Sequence, residues 1–442
     1  MSNVQSTAVT IDDLTILLPD GTKFNINGIF QEINIYESLL TPCITGNVLI
    51  TDAVGFSKTL KFDGSEKLLL DISNPSTDVT KIKRKANRPF RIVKQTDITT
   101  NNQTSLSYIL HFVSEQFILS EQQKIDVCYK GTYTEAAVTI LNSNLKVPLN
   151  NIFFDKSLGL IDLIPPPKYS KPFDTLTWFA KRALDQKGQP TFLFFEDLYG
   201  YNFATMSSIM KSAPIFTANM AVKNISNDDK SKYMDYTGIR KLEVMTKFDF
   251  SKNLQFGLYS GTVVGINPLT RQFNITHPAP LAKIKSGGLD NNAKVVYSIS
   301  TEQNNSSTWI QQESAQEIQT QDVPQKYAFA RQAILQSFVN QRIKISLPGN
   351  FLVSPGRTLK IDVGPQSAQT KENKNKLDDS LSGIYAVLSS RHIIRPDMCE
   401  SIVELVTGFD QQATSSSTSG VVSTPYSAPD ITSTFVPDYI PA

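Results

Sequence analysis

The sequence predicts a mainly β chain, a β-rich α+β fold, on three observations. The first is strict alternation of apolar and polar residues through many short segments. Ile33 and Ile35 alternate with Glu32 and Asn34, and Ile44, Val48 and Ile50 share a face interrupted by Gly46. Leu68, Leu70 and Ile72 repeat the pattern, as do Leu106, Tyr108, Leu110 and Phe112. A period of two marks strands with one buried face. The second observation is that turn residues such as Phe62-Asp63-Gly64-Ser65 separate the segments, which fits antiparallel neighbours forming a barrel or sandwich. The third is that few segments carry the three-to-four spacing of a helix.

At 442 residues the chain is too long for one core and divides into three or four domains. Hydrophobic content of 40%, with 10% aromatic, is ordinary for a globular protein, so most of the chain folds. A formal net charge of +2 argues against bulk coating of nucleic acid. Cys43, Cys128 and Cys399 are scattered and odd in number, as expected in a reducing compartment without disulfides. Met1 to Thr10 lacks a basic start and an apolar core, so no secretion signal is expected, and apolar runs such as Phe192 to Phe195 are too short to span a bilayer. The expectation is a soluble protein assembled in the cytoplasm.

Along the chain, Leu14, Ile16 and Leu18, then Pro19-Asp20-Gly21, then Phe24 and Ile26 form a hairpin signal. With the strands above it makes a first sheet domain over residues 1–118. A basic stretch lies inside it: Lys81, Lys83, Arg84, Lys85, Arg88, Arg91 and Lys94. Residues 119–215 form a mixed α/β domain. Thr134 to Asn142 reads as a short helix with a Thr cap before Glu135, and Pro165-Pro166-Pro167 as a rigid connector. Pro172 opens a stronger helix on Phe173, Leu176, Thr177, Ala180 and Leu184, with Asp174 in its first turn and an end at Lys187-Gly188. A hairpin follows, Thr191 to Glu196 and Tyr201 to Met206 around Asp197 to Gly200.

Asn219 to Gly238 is polar, with little to bury. Strands are expected again at Leu242 to Phe250 and from Leu258 to Gly265, with Lys252 to Leu258 read partly as strand, and Asn291 to Asp322 as a long Gln/Ser/Asn-rich loop. A third helix starts near Asp322 and Pro324 and places Ala330, Ile334 and Phe338 on one face. Ile343, Ile345 and Leu347, then Leu359, Ile361 and Val363, continue the sheet. Lys371 to Asp379 reads as a solvated insertion, and Ile384 to Ile394 with Ser401 to Thr407 closes a hairpin around Arg395-Pro396-Asp397. A second sheet domain thus comprises 216–258 and 324–410, interrupted by a small inserted domain at 259–323. Its order of strands, turns and long loop parallels the first sheet at slight identity, which raises an internal duplication. Residues 411–442 are a Ser/Thr/Pro-rich arm dotted with Val421, Tyr426, Phe435, Tyr439 and Ile440: either a disordered tail or an arm ordered on a neighbouring subunit.

No chemistry emerges from the residues, and the expected catalytic, cofactor-binding and metal residues are none. His111, His277 and His392 lie far apart, none at metal-ligand spacing from a cysteine or carboxylate, and His111 alternates onto a sheet surface. No nucleophile elbow, phosphate loop or dinucleotide turn occurs, and Gly287-Gly288 is simply a turn. Glu196 and Asp197 are the best adjacent carboxylates. Neighbours on a strand point to opposite faces and do not straddle one glycosidic bond across about 5–9 Å, so turn and edge solvation explains them better. The Lys81 to Lys94 cluster reads as a solvated hairpin or a dock for an acidic neighbour ahead of a DNA contact, since only Phe90 offers stacking.

The order of several motifs resembles one family. Glu37-Ser38-Leu39-Leu40, Gly46 before a strand ending at Asp52, and Asp63-Gly64-Ser65-Glu66 before Leu68 look like the tube-like first domain of the central baseplate hub protein of contractile-tailed bacteriophages. Pro172-Phe173-Asp174-Thr175-Leu176-Thr177-Trp178-Phe179 and the hairpin after it resemble the family's second domain. Asn253-Leu254-Gln255-Phe256-Gly257-Leu258-Tyr259-Ser260 is similar to a helix-to-strand segment, and Gly349-Asn350-Phe351, Pro355-Gly356 and Gly383-Ile384-Tyr385 to the final tube-like domain. The arm falls outside the resemblance.

The resemblance implies two tail-tube-like antiparallel β-barrel domains beside the mixed α/β domain and the small inserted domain. It implies a non-enzymatic homotrimer without cofactors in the virion tail baseplate, adapting a trimeric central spike to the six-fold tail tube. Its implied partners are the spike, tail tube or tube-initiator proteins and baseplate wedge proteins, with DNA passing through the lumen unbound. The alternatives are a spike-associated cell-wall hydrolase and the hub of a related contractile injection or secretion system.

Overall fold

The structure, a computed structural model, describes residues 9–53, 55, 60, 62–73, 81–85, 88–102, 105–159, 161–220, 237–247, 249–258, 260–267, 272–276, 306–312, 328–364, 378 and 381–407. The expected arm, most of the Asn219 to Gly238 and Lys371 to Asp379 segments, His277 and Gly287-Gly288 lie outside them.

Alternation produces strands where it was read. The N-terminal part contains β1 (Thr10–Leu17), β2 (Lys23–Asn25), β3 (Phe30–Ser38), β4 (Thr45–Asp52), β5 (Lys67–Ser73), β6 (Lys81–Arg84), β7 (Phe90–Asn102) and β8 (Ser105–Ser114). Leu14, Ile16, Ile33, Ile35, Val48, Ile50, Leu68, Leu70, Ile72, Tyr108, Leu110 and Phe112 all enter one core, as a period of two demands. Gly46 interrupts that face for a reason of space. A Cβ there would lie 2.2 Å from the Phe112 ring and 2.4 Å from the Asn34 carbonyl oxygen.

The mixed region contains α1 (Glu115–Glu121), β9 (Tyr129–Gly131), α2 (Tyr133–Thr139), β10 (Ile152–Phe154), β11 (Ile161–Ile164), α3 (Pro172–Arg182), β12 (Phe192–Glu196), β13 (Tyr201–Thr205) and α4 (Met206–Lys211). Two helix limits differ from the sequence reading. The cap of α2 is Thr132, whose side chain accepts from the Glu135 N–H while Glu135 returns a bond to the Thr132 N–H, a reciprocal capping box. Helix α3 ends at Arg182 and not at Lys187-Gly188. The Asp185 carboxylate accepts from the N–H groups of Lys187 and Gln189 and from the Thr191 hydroxyl, and this side-chain-centred turn outcompetes another helical turn.

Then come β14 (Thr217–Met220), β15 (Lys241–Thr246), α5 (Phe250–Gln255), β16 (Ser260–Asn267), β17 (Gln272–Thr276), β18 (Ser306–Gln312), α6 (Ala328–Phe338), β19 (Gln341–Pro348), β20 (Thr358–Val363), β21 (Gly383–Ile394) and β22 (Cys399–Thr407). The partial strand expected at Lys252 to Leu258 is helix up to Gln255, because Asp249 caps it by accepting from the Lys252 N–H. Part of the expected Asn291 to Asp322 loop is strand: β18 lies parallel to β16.

The two sheet regions are one hydrogen-bonded surface. A 14-stranded sheet runs β15-β19-β22-β21-β3-β4-β8-β7-β5-β1-β2, with β6 on β5 and β14-β20 joined to β21. The seam is antiparallel pairing of β21 with β3, from Ser389 opposite Ser38 to Ile394 opposite Ile33. The C-terminal strands carry their own core of Ile343, Ile345, Leu359, Tyr385, Val403 and Leu405, while α2, α3 and the β12–β13 hairpin enclose a third.

Candidate functional site

The most highly organised polar cluster lies where the β12–β13 hairpin wedges against the seam. Phe192 to Glu196 and Tyr201 to Thr205 are buried throughout, so the hairpin carries its terminal charges into the interior. Glu196 accepts from the Ile44 N–H at 2.9 Å, from the Ser114 hydroxyl and from Arg84 Nη2 at 3.0 Å, with Arg88 Nη2 at 3.8 Å. Arg84 and Glu196 are both fully enclosed, and the Arg84 guanidinium also covers the Phe90 ring. Burying such charges is tolerable only when they are paired. Arg88 reaches the Tyr199 carbonyl oxygen at 2.8 Å, and burial, helped by the like charge of Arg84, lowers its guanidinium to about 10.

The hairpin tip is held from the other side. Asp197 Oδ1 accepts from the N–H groups of Tyr199 at 2.8 Å and Gly200 at 2.7 Å, closing the turn on itself. Burial pushes the Asp197 carboxyl up to about 6, with the Glu37 charge adding and Arg357 opposing. The Leu198 N–H donates to Glu37 Oε2 at 2.8 Å, and Glu37 Oε1 binds the Ser390 hydroxyl at 3.0 Å and His392 Nε2 at 3.2 Å. His392 Nδ1 lies 2.9 Å from the Ser401 hydroxyl. Arg357 stacks over the Tyr199 ring, centred 4.1 Å away. The chain of contacts therefore runs from β6 through the hairpin to β3, β21 and β22.

A second staple lies nearby. Arg331 on α6 donates from Nη1 to the carbonyl oxygens of Ala180, Pro190 and Phe192 at 2.9, 3.2 and 2.7 Å. Of the three, the Ala180 carbonyl lies in the last turn of α3, where a cation is favoured, and burial lowers the Arg331 guanidinium to about 10.

Turn and edge solvation does not describe Glu196 and Asp197, because both are buried. They do not form a hydrolase pair either. Glu196 is saturated by donors, Asp197 is spent on its own turn, and the cavity beside Asp197 measures about 20 Å³, room for a water and not a sugar. The basic cluster splits: Lys81, Lys83, Lys85 and Lys94 are exposed, Arg84 and Arg88 join the junction, and Arg91 binds the Gly64 carbonyl oxygen. His111 sits half-buried on the sheet beside Thr96, as read. The sequence reading missed the roles of Glu37, His392 and Arg331. Arg84 carried a signal, since it shares strand parity with the buried Ile82 and so points a charge inward.

Among the described residues no group of three or more His, Cys, Asp or Glu could hold a metal ion, and no helix is long and apolar enough to cross a membrane. No family model matches the sequence, and no curated protein matches it. Solved structures do. The tail protein from Neisseria meningitidis MC58 aligns with a TM-score of 0.50 at 12% identity, covering 89% of this chain and 96% of that one. The 43 kDa tail protein of prophage MuSo2 from Shewanella oneidensis aligns with a TM-score of 0.53 at 9% identity, covering 90% and 99%. The chain has the fold of phage tail proteins, over almost its whole length.

Proposed function

We propose that this chain is a structural subunit of a phage tail baseplate: a trimeric hub that adapts a central spike to the six-fold tail tube and surrounds part of the DNA channel. The observation that carries the reading is the near end-to-end likeness to two tail proteins, one of them from a prophage. The interior supports it. The strongest polar cluster is spent on welding the hairpin to both sheet regions and offers no room for substrate. In this reading residues 1–118, and 216–258 with 324–410, are the two tube-like units, 119–215 the mixed domain, 259–323 the insertion and 411–442 the arm. The subunit assembles in the host cytoplasm and resides in the virion tail, with spike, tube and wedge proteins as neighbours and DNA passing without specific contact.

Mass photometry of the purified chain, alone and with its spike, tests the proposal, followed by electron microscopy of the assembled ring. Three copies around a lumen wide enough for duplex DNA are expected. A monomer that gains no copies when the spike is added refutes the hub. Turnover of peptidoglycan that is lost in Glu196→Gln refutes the structural role in favour of a hydrolase.

A further inference from the structure

A groove of about 330 Å³ opens between the β3–β4 loop, α3, β12 and α6. Its walls are Leu39, Leu40, Pro42, Leu193 and Leu335, and Leu40, in the loop after β3, stands 60% exposed at the lip. The rim is cationic. Lys181 and Arg182 border it, and Lys181 is exposed and makes no ion pair among the described residues. A cavity of this size takes one or two large side chains of a segment, at the small end of ligand sites.

The end of β22 lies beside this groove. Val406, in the last turn of pairing on β22, belongs to the same apolar cluster as Leu39, Leu193 and the flanking Leu335. Thr407 pairs with Gln341, just beyond the end of α6. From there the sequence continues for 35 residues with three aspartates, Asp410, Asp430 and Asp438, and no Lys, Arg or His. Its densest apolar run is Phe435-Val436-Pro437-Asp438-Tyr439-Ile440, an acid set among aromatic and aliphatic residues. About 27 residues of Ser/Thr/Pro-rich sequence lie between Thr407 and that run.

We propose that the groove is the docking site of this chain's own C-terminal segment, with Phe435, Tyr439 or Ile440 filling the apolar floor and Asp438 meeting Lys181 at the rim. Charge complementarity and the location of Thr407 favour this occupant. Tethering supplies an effective concentration in the millimolar range, so a modest contact suffices to hold the segment in place. The inference is independent of the hub reading.

The test uses the full chain with benzoylphenylalanine replacing Tyr439, irradiated and mapped by mass spectrometry, with unlabelled and ¹⁵N-labelled copies mixed. Cross-links to the peptides containing Leu39 to Pro42 and Leu335 are expected, within single copies. Leu40→Asp and Lys181→Glu alter exposed side chains and leave the fold intact, and each lowers the yield at least about fivefold. Asp438→Lys in the Lys181→Glu background restores it. Cross-links elsewhere, yields indifferent to both substitutions, or links joining labelled to unlabelled copies overturn the proposal.

Discussion

Replacing Glu196 by Ala strands a buried cation. Arg84 is fully enclosed, and among the described residues its Nε and Nη1 have no hydrogen-bond partner, so Glu196 supplies most of its compensation. Removing one member of such a pair costs about 3–5 kcal/mol, and the buried Ile44 N–H loses its acceptor as well, at about 1–3 kcal/mol more. The two losses share one side chain and do not simply add. Arg84→Met removes the charge while keeping a stem over Phe90, and leaves Glu196 with Ser114, Ile44 and Arg88. Glu196→Met together with Arg84→Met abolishes both charges, and such replacements are often neutral. The double variant is therefore expected within about 2 kcal/mol of the parent, with a coupling energy above about 2 kcal/mol. Urea unfolding followed by tryptophan fluorescence gives each midpoint, compared at unchanged slope. Single losses below about 1 kcal/mol that merely add in the double variant refute the argument that this pair is buried and mutually dependent.

Three further outcomes are expected. Asp197 titrates near 6 when folded against an ordinary 3.8, so its contribution to stability is fully present below about pH 4 and lost as pH rises through 6. The contribution is on the order of 3 kcal/mol, and Asp197→Asn, which keeps an acceptor for the Tyr199 and Gly200 N–H groups, flattens stability between pH 4 and 6 in urea titrations across that range. Gly46→Ala drives a methyl into Phe112 and the Asn34 carbonyl and lowers stability by at least about 1–3 kcal/mol, measured by the same unfolding. Burial pushes the thiols of Cys43 and Cys399 up to about 12, so iodoacetamide at pH 8 labels the half-buried Cys128 first, and all three cysteines only after denaturation, as mass spectrometry will count.

Local pattern reaches as far as one strand or one helix. Leu14/Ile16, Ile33/Ile35 and Leu68/Leu70/Ile72 announced both the strands and the face they bury, because a period of two states orientation without reference to a partner. Pro172 and Asp174 likewise announced the start of α3. Its end was hidden, since Asp185 chooses a turn by bonding to residues that follow it. The cap of α5 at Asp249 was visible in type, yet alternation in the preceding segment masked it. The junction was legible only in part. An inward Arg84 demands an anion, but nothing local identifies Glu196, which lies 112 residues away, or joins His392 to Glu37 across 355. Those pairings are properties of the topology.

The seam between β21 and β3 also sets a schedule. When the chain leaves the ribosome, β3 can pair with β4 at once, but its other edge waits for Ser389 to Ile394. Some 350 residues separate the two partners, roughly 20–70 s of synthesis at ordinary rates. For that interval the nascent protein presents the unpaired N–H and C=O groups of an apolar strand, the template on which chains stick to one another. Glu32, Asn34 and Glu37 punctuate that waiting strand, and each later receives a partner from the C-terminal hairpin: Arg395, Arg391 and His392. The same polar side chains that mark the incoming strand's place keep the open edge from bonding to the wrong neighbour while it is awaited.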